Sequence, residues 1–148
     1  MGSVQTAVSS LPPEALVQMR LAHLSAIQNI IARMSSQSGM IKGFCVTLSG
    51  AVVALKPQAA VLIVPVLALL FALVDAGYLS IERGFKDTYD RVAQRPIEEA
   101  QDLRIVRSTS KTGAFVNAAW SFSVAGFYFS VAGAVIGVGL LLPHLSTP

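Results

Sequence analysis

Between Ala59 and Val74 the chain carries no charged residue, and this run constrains the fold more than any other stretch. About 20 mostly apolar residues are needed to cross a hydrocarbon core roughly 30 Å thick. The run reaches that length by continuing through Asp75 to Ile81, so residues 59–81 are expected to span a membrane. The preceding segment, residues 40–56, is apolar from Phe44 to Leu55 and flanked by Lys42 and Lys56. It can cross if both lysines extend their ammonium groups toward the headgroups and the bilayer thins slightly. Lys56-Pro57-Gln58 breaks the two segments into a hairpin. Thr112 to Leu142 is again free of charge. It is too short for two spans and a turn, so residues 114–142 are expected to form an interfacial approach through Phe115 and Asn117, with Trp120 at headgroup level, followed by one span that ends before Pro143.

Outside these segments the pattern is helical. Leu11-Pro12-Pro13-Glu14 opens a helix, with proline in the first turn and an acid near the positive end of the dipole. Val17, Leu24, Ile27, Ile31 and Met34 then recur at three- and four-residue spacings, with Leu16, Leu21 and Ile30 widening the stripe. Residues 1–39 are therefore expected to hold a flexible tail and an amphipathic helix, interrupted on its apolar seam by Arg20. Ser35-Ser36-Gln37-Ser38-Gly39 lowers helical propensity and is expected to hinge that helix against the first span. Beyond Ile81 the second span is expected to continue as one helix to Gln94, with Phe85, Tyr89 and Val92 on one face as an interaction surface for a cytoplasmic protein or ligand. Arg95-Pro96 ends it, and Pro96 with Glu98 and Glu99 predicts another helix to about Arg107. Residues 82–113 thus form a cytoplasmic helical segment in an all-α integral membrane protein with three spans.

The segment from Glu82 to Lys111 holds Arg83, Lys86, Arg91, Arg95, Arg104, Arg107 and Lys111, and the N-terminal region adds Arg20, Arg33 and Lys42. The opposite side has only Lys56, which predicts an N-terminus inside and a C-terminus outside. A secretory signal is not expected, because the chain opens without a basic start, apolar core and small-residue cleavage site. The net charge of +3 is spread among acids and forms no nucleic-acid footprint. The single cysteine, Cys45, excludes an internal disulfide.

Asp75 demands an account, because a carboxylate inside a span costs about 2.5–3.5 kcal/mol on insertion scales. At 1.5 Å per residue, Lys42 lies about 21 Å from Lys56 along the first span and Asp75 about 24 Å from Ala59 along the second. The two share a depth and are expected to pair, either as a tether for the hairpin or as part of a proton or ion relay. Small residues make a second pattern: Gly43, Thr47, Gly50 and Ala54 on the first span, and Gly126, Ser130, Gly133 and Gly137 on the last. Such strips let helix backbones approach closely within a chain or between chains. Pro65 is expected to kink the second span. His23 and His144 fall on opposite predicted sides, so they hold no common metal, and no phosphate-cradling glycine loop or nucleophile elbow is present. No cofactor or catalytic activity is expected.

The runs His23-Leu24-x-x-Ile27-Gln28-x-x-Ile31-x-Arg33-Met34, Ile41-Lys42-Gly43-Phe44 and Asp75-x-x-Tyr78-Leu79-x-x-Glu82-Arg83-x-Phe85-x-x-x-Tyr89 resemble a group of short uncharacterised bacterial membrane proteins. The resemblance covers about half the chain and implies a bacterial inner-membrane location without implying an activity. Three functions follow as expectations. The first is a self-associating, pore-forming or membrane-perturbing effector, such as those of phage defence, that responds through its cytoplasmic helices. The second is a small-solute or ion transporter using Asp75 and Lys42, and the third an anchor for a soluble partner.

Overall fold

The structure is a computed structural model that describes residues 12–97, 103–105 and 112–145. Among these residues it is helical, without strands. Helix α1 runs Pro13–Leu55 and α2 runs Pro57–Gln94. Helix α3, Thr112–Ala119, is followed by a π-helical turn, Phe122–Gly126, and by α4, Phe127–Leu145. Three stretches, Pro13–Leu55, Pro57–Gln94 and Gly113–Leu141, are long and apolar enough to cross a membrane.

The N-terminal helix and the first span are one element, and no hinge forms at Ser35–Gly39. Serine and glycine each cost a helix less than about 1 kcal/mol, which neighbouring turns absorb. Gly39 does not adopt a positive φ. Lys56 is the whole break between α1 and α2: its N–H donates to Val52 O at 2.9 Å while its own carbonyl accepts from Ala60 at 2.9 Å. Pro57 then opens α2 at the position where a missing N–H costs nothing. Helix α2 carries on through Pro65 to Gln94.

Two expectations downstream are corrected. Leu103, Arg104 and Ile105 are not helical, so the helix expected from Pro96 to Arg107 is absent there; residues 98–102, 106 and 107 of that segment lie outside the described residues. The last helix does not end before Pro143: α4 continues past Leu142 to Leu145, and it is set off from α3 by an interruption at Trp120–Ser121. The interruption is local chemistry at Ser121, which is extended (φ −67°, ψ 148°). Its hydroxyl donates back to Ala118 O at 2.7 Å, and its carbonyl accepts from Val124 and Ala125 at 3.0 and 2.9 Å. One residue thus closes α3 and starts the next helix.

Contacts divide the chain into two units, one of Met1–Arg33 with Glu82–Thr109 and the other of Met34–Ile81 with Ser110–Pro148. In the first, Ile27 and His23 of α1 and Glu82, Thr88 and Val92 of α2 are buried. Gln28 Nε2 donates to the Tyr89 hydroxyl at 3.2 Å. The Arg20 guanidinium donates to the carbonyls of Arg95 and Pro96, both at 2.5 Å. These carbonyls lie just past the last turn of α2, where a cation also meets the negative end of the dipole. Arg20, which breaks the apolar seam in sequence, is therefore the group that closes α2.

In the second unit the core is Cys45, Ala68, Ala76, Val124 and Tyr128, with Phe71, Ala72, Leu79, Phe127 and Val131 packed around it. Alanines on α2 recur at the buried positions 60, 68 and 76, and their small side chains let helices approach closely without a large apolar drive.

Candidate functional site

The second unit buries a charged group. Asp75 is fully inaccessible, and Lys42 Nζ lies 2.7 Å from its Oδ2. Ser38 Oγ donates to Oδ1 at 2.5 Å, and Lys42 Nζ donates to Ser38 Oγ at 2.9 Å. The ammonium, the hydroxyl and the carboxylate thus form a closed triangle. The Lys42 ammonium meets Oδ2 at a charge-assisted hydrogen-bond distance, so both carboxylate oxygens are partnered.

Helical periodicity makes the triangle part of a longer file. Ser38, Lys42, Cys45 and Ser49 follow at spacings of four, three and four, which places them on one face of α1. Cys45 is wholly buried and Ser49 nearly so, and the Ser49 hydroxyl beside the Cys45 thiol lacks an aligned partner. Tyr128 of α4 completes the cluster from the other side. It is 4% exposed, its ring meets Phe127 edge-on at 5.1 Å, and its hydroxyl faces the Asp75 carboxylate as a hydrogen-bond donor. Ser38 and Tyr128 were not singled out by sequence. Ser38 carried a signal, its four-residue spacing from Lys42, whereas Tyr128 carried none.

The small-residue positions are arranged differently. Among the described residues, nothing lies within 4 Å of where a Cβ would stand at Gly43, Gly50, Gly133 or Gly137. Thr47 and Ser130 are exposed, and their hydroxyls donate to their own helices, at Gly43 O (3.0 Å) and Gly126 O (2.7 Å). Only Gly126 has a close neighbour, the Phe122 ring, 3.3 Å from its added Cβ. Among the described residues the two strips make no close contact with each other. The close approach falls at Gly139, where a methyl group would collide with the Val61 side chain. Separately, Pro65, Ala68, Leu69, Ala72 and Leu73 of α2 and Tyr128, Ala132, Gly133 and Ile136 of α4 line an open apolar groove of about 620 Å³.

Of Phe85, Tyr89 and Val92, Val92 is buried, whereas Phe85 and Tyr89 are half-buried and the Tyr89 hydroxyl accepts from Gln28 Nε2. Among the described residues no three His, Cys, Asp or Glu side chains group as metal ligands. Comparison with family models, curated proteins and solved structures finds no match to this chain.

Proposed function

We propose that the chain is a non-enzymatic protein of a bacterial inner membrane that assembles with copies of itself and acts as a membrane-perturbing effector. In this reading the N-terminus and residues 82–113 lie inside and the C-terminus outside, in keeping with the lysine and arginine asymmetry.

The observation that carries the reading is the outward set of the small-residue strips. Only about 11% of the most apolar window of α1, and the same share of the last span, is buried inside the chain. Glycine costs a helix about 1 kcal/mol relative to alanine, and against lipid alone a bare strip returns nothing. Its use is to let a second backbone come close. Since nothing among the described residues lies within 4 Å of an added Cβ at Gly43 and Gly50 on α1 or Gly133 on α4, the partner in this reading is another copy.

Single cysteines placed at Gly43 and Gly50, in a Cys45→Ala background, test this in native membranes. Oxidative cross-links between copies are expected at these positions, with none at Leu62, which is 77% exposed on α2 away from either strip. Equal cross-linking at all three positions, or at none, would remove the proposal.

A further inference from the structure

We infer that the groove between α2 and α4 holds an acyl chain of a phospholipid from the leaflet on the Trp120 side of the membrane. The inference rests on the membrane location proposed above and not on assembly with other copies.

The groove is made by residue size. Ala68 is buried and Ala72 and Ala132 are half-buried along it, while Gly133 adds no side chain at all. Leu69, Leu73, Trp120 and Phe129, which also line it, are exposed. The side chains lining it include no charged residue, and the Tyr128 hydroxyl is turned to Asp75, so that residue offers the groove its ring. Without convergent polar groups an apolar space stays dry. Its exposed walls are continuous with the apolar faces of stretches long enough to cross a membrane, so the occupant is hydrocarbon: a lipid chain, or a second helix.

Dimensions decide between these two. At 1.5 Å per residue, Val124 to Ile136 covers about 18 Å and Pro65 to Leu73 about 12 Å, close to the roughly 15 Å of hydrocarbon in one leaflet. A volume of about 620 Å³ spread over that length leaves a width of about 7 Å. A helix with its side chains is about 10–12 Å across and does not enter; an extended acyl chain does. Trp120 sets the end from which the chain enters, because tryptophan favours the headgroup level where the rest of the lipid lies. Of the glycines assigned above to contact between copies, Gly133 lines the groove and Gly43 and Gly50 do not. A chain in the groove lies between Gly133 and a second copy, and direct contact then falls to α1.

Trp120 is the single tryptophan of the chain and lines the groove, so its fluorescence reads the occupant. The full chain is reconstituted in vesicles of phosphatidylethanolamine and phosphatidylglycerol with brominated chains, which quench indole, and then transferred to excess mild detergent. Wild type is expected to stay quenched in detergent, relative to protein taken from unbrominated vesicles, and to carry lipid in native mass spectrometry. Gly133→Leu, which adds a side chain where nothing lies within 4 Å, should lose both signals, and the smaller Gly133→Val makes the same test. Gly137→Leu, outside the groove on the same helix, and Gly50→Leu on α1 should keep them. The inference is overturned if wild-type fluorescence recovers fully in detergent, if both Gly133 variants stay as quenched as wild type, or if Gly137→Leu or Gly50→Leu also loses the quenching. Loss in Gly50→Leu would assign the lipid to the contact between copies. Cross-linking at Gly43 and Gly50 reads the assembly separately, so either proposal can fail without the other.

Discussion

The asymmetry of the Lys42–Asp75 pair makes removal of the two partners unequal. Asp75 has no exposed side-chain surface, while Lys42 retains 20%. In Lys42→Ala the carboxylate stays where it is, held by the hydroxyls of Ser38 and Tyr128 without a cation, and breaking a buried pair from this side costs about 3–5 kcal/mol. In Asp75→Asn the remaining lysine can withdraw its ammonium along its stem, and the loss is that of charge-assisted hydrogen bonds, about 1.5–3 kcal/mol. The lysine variant is therefore expected to be the less stable by on the order of 1–2 kcal/mol, about a five- to thirtyfold change in the folding equilibrium. Denaturant titration in mild detergent and choline chloride, followed by helical circular dichroism, reads the difference directly. Combining both changes should recover much of the loss of Lys42→Ala, since no charge is then left buried. An Asp75→Asn protein as unstable as Lys42→Ala, or less stable, would refute the reasoning from burial.

Gly139→Leu should lower stability by about 1–3 kcal/mol through the collision with Val61, whereas Gly50→Leu, which meets open space, should leave the midpoint of unfolding nearly unchanged and reduce association. Arg20→Ala removes the donor to the Arg95 and Pro96 carbonyls; hydrogen exchange of the last turn of α2 should accelerate severalfold, with the exchange of residues 60–76 unaltered. Reversing the pair, as Lys42→Asp with Asp75→Lys, should restore part of the yield lost by either change alone. A cysteine at Ser146 in a Cys45→Ala background should be labelled by an impermeant reagent from outside the cell, and labelling from the cytoplasm alone would contradict three crossings.

What could be read from sequence was what depends on period and length. The charge-free run from Ala59 marked a helix long and apolar enough to cross a membrane, and counting at 1.5 Å per residue from the Lys56 turn brought Lys42 and Asp75 to one depth. Three features were hidden for separate physical reasons. Ser38 looked like part of a hinge because propensity favours breaking a helix at Ser35–Gly39, but propensity is a weak prior and the side chain instead reaches Asp75. The interruption at Trp120–Ser121 turns on the extended backbone of Ser121, and the residue type does not mark it, because a serine hydroxyl also bonds back to its own turn inside a continuous helix, as Ser130 does. Gly139 lies outside the regular strip of Gly126, Ser130, Gly133 and Gly137, so nothing in its spacing marks it as the point of closest approach to α2. The Phe85, Tyr89 and Val92 rhythm was legible as a helix face, but periodicity does not say whether a face meets its own chain or another.

The mass of the protein in lipid nanodiscs, measured for wild type and Gly50→Leu, tests most directly the claim that the outward strips join copies. The account predicts a wild-type particle holding more than one chain and a Gly50→Leu particle that holds fewer while keeping its helical content. A wild-type particle holding a single chain, or an unchanged number of chains in the variant, would contradict it.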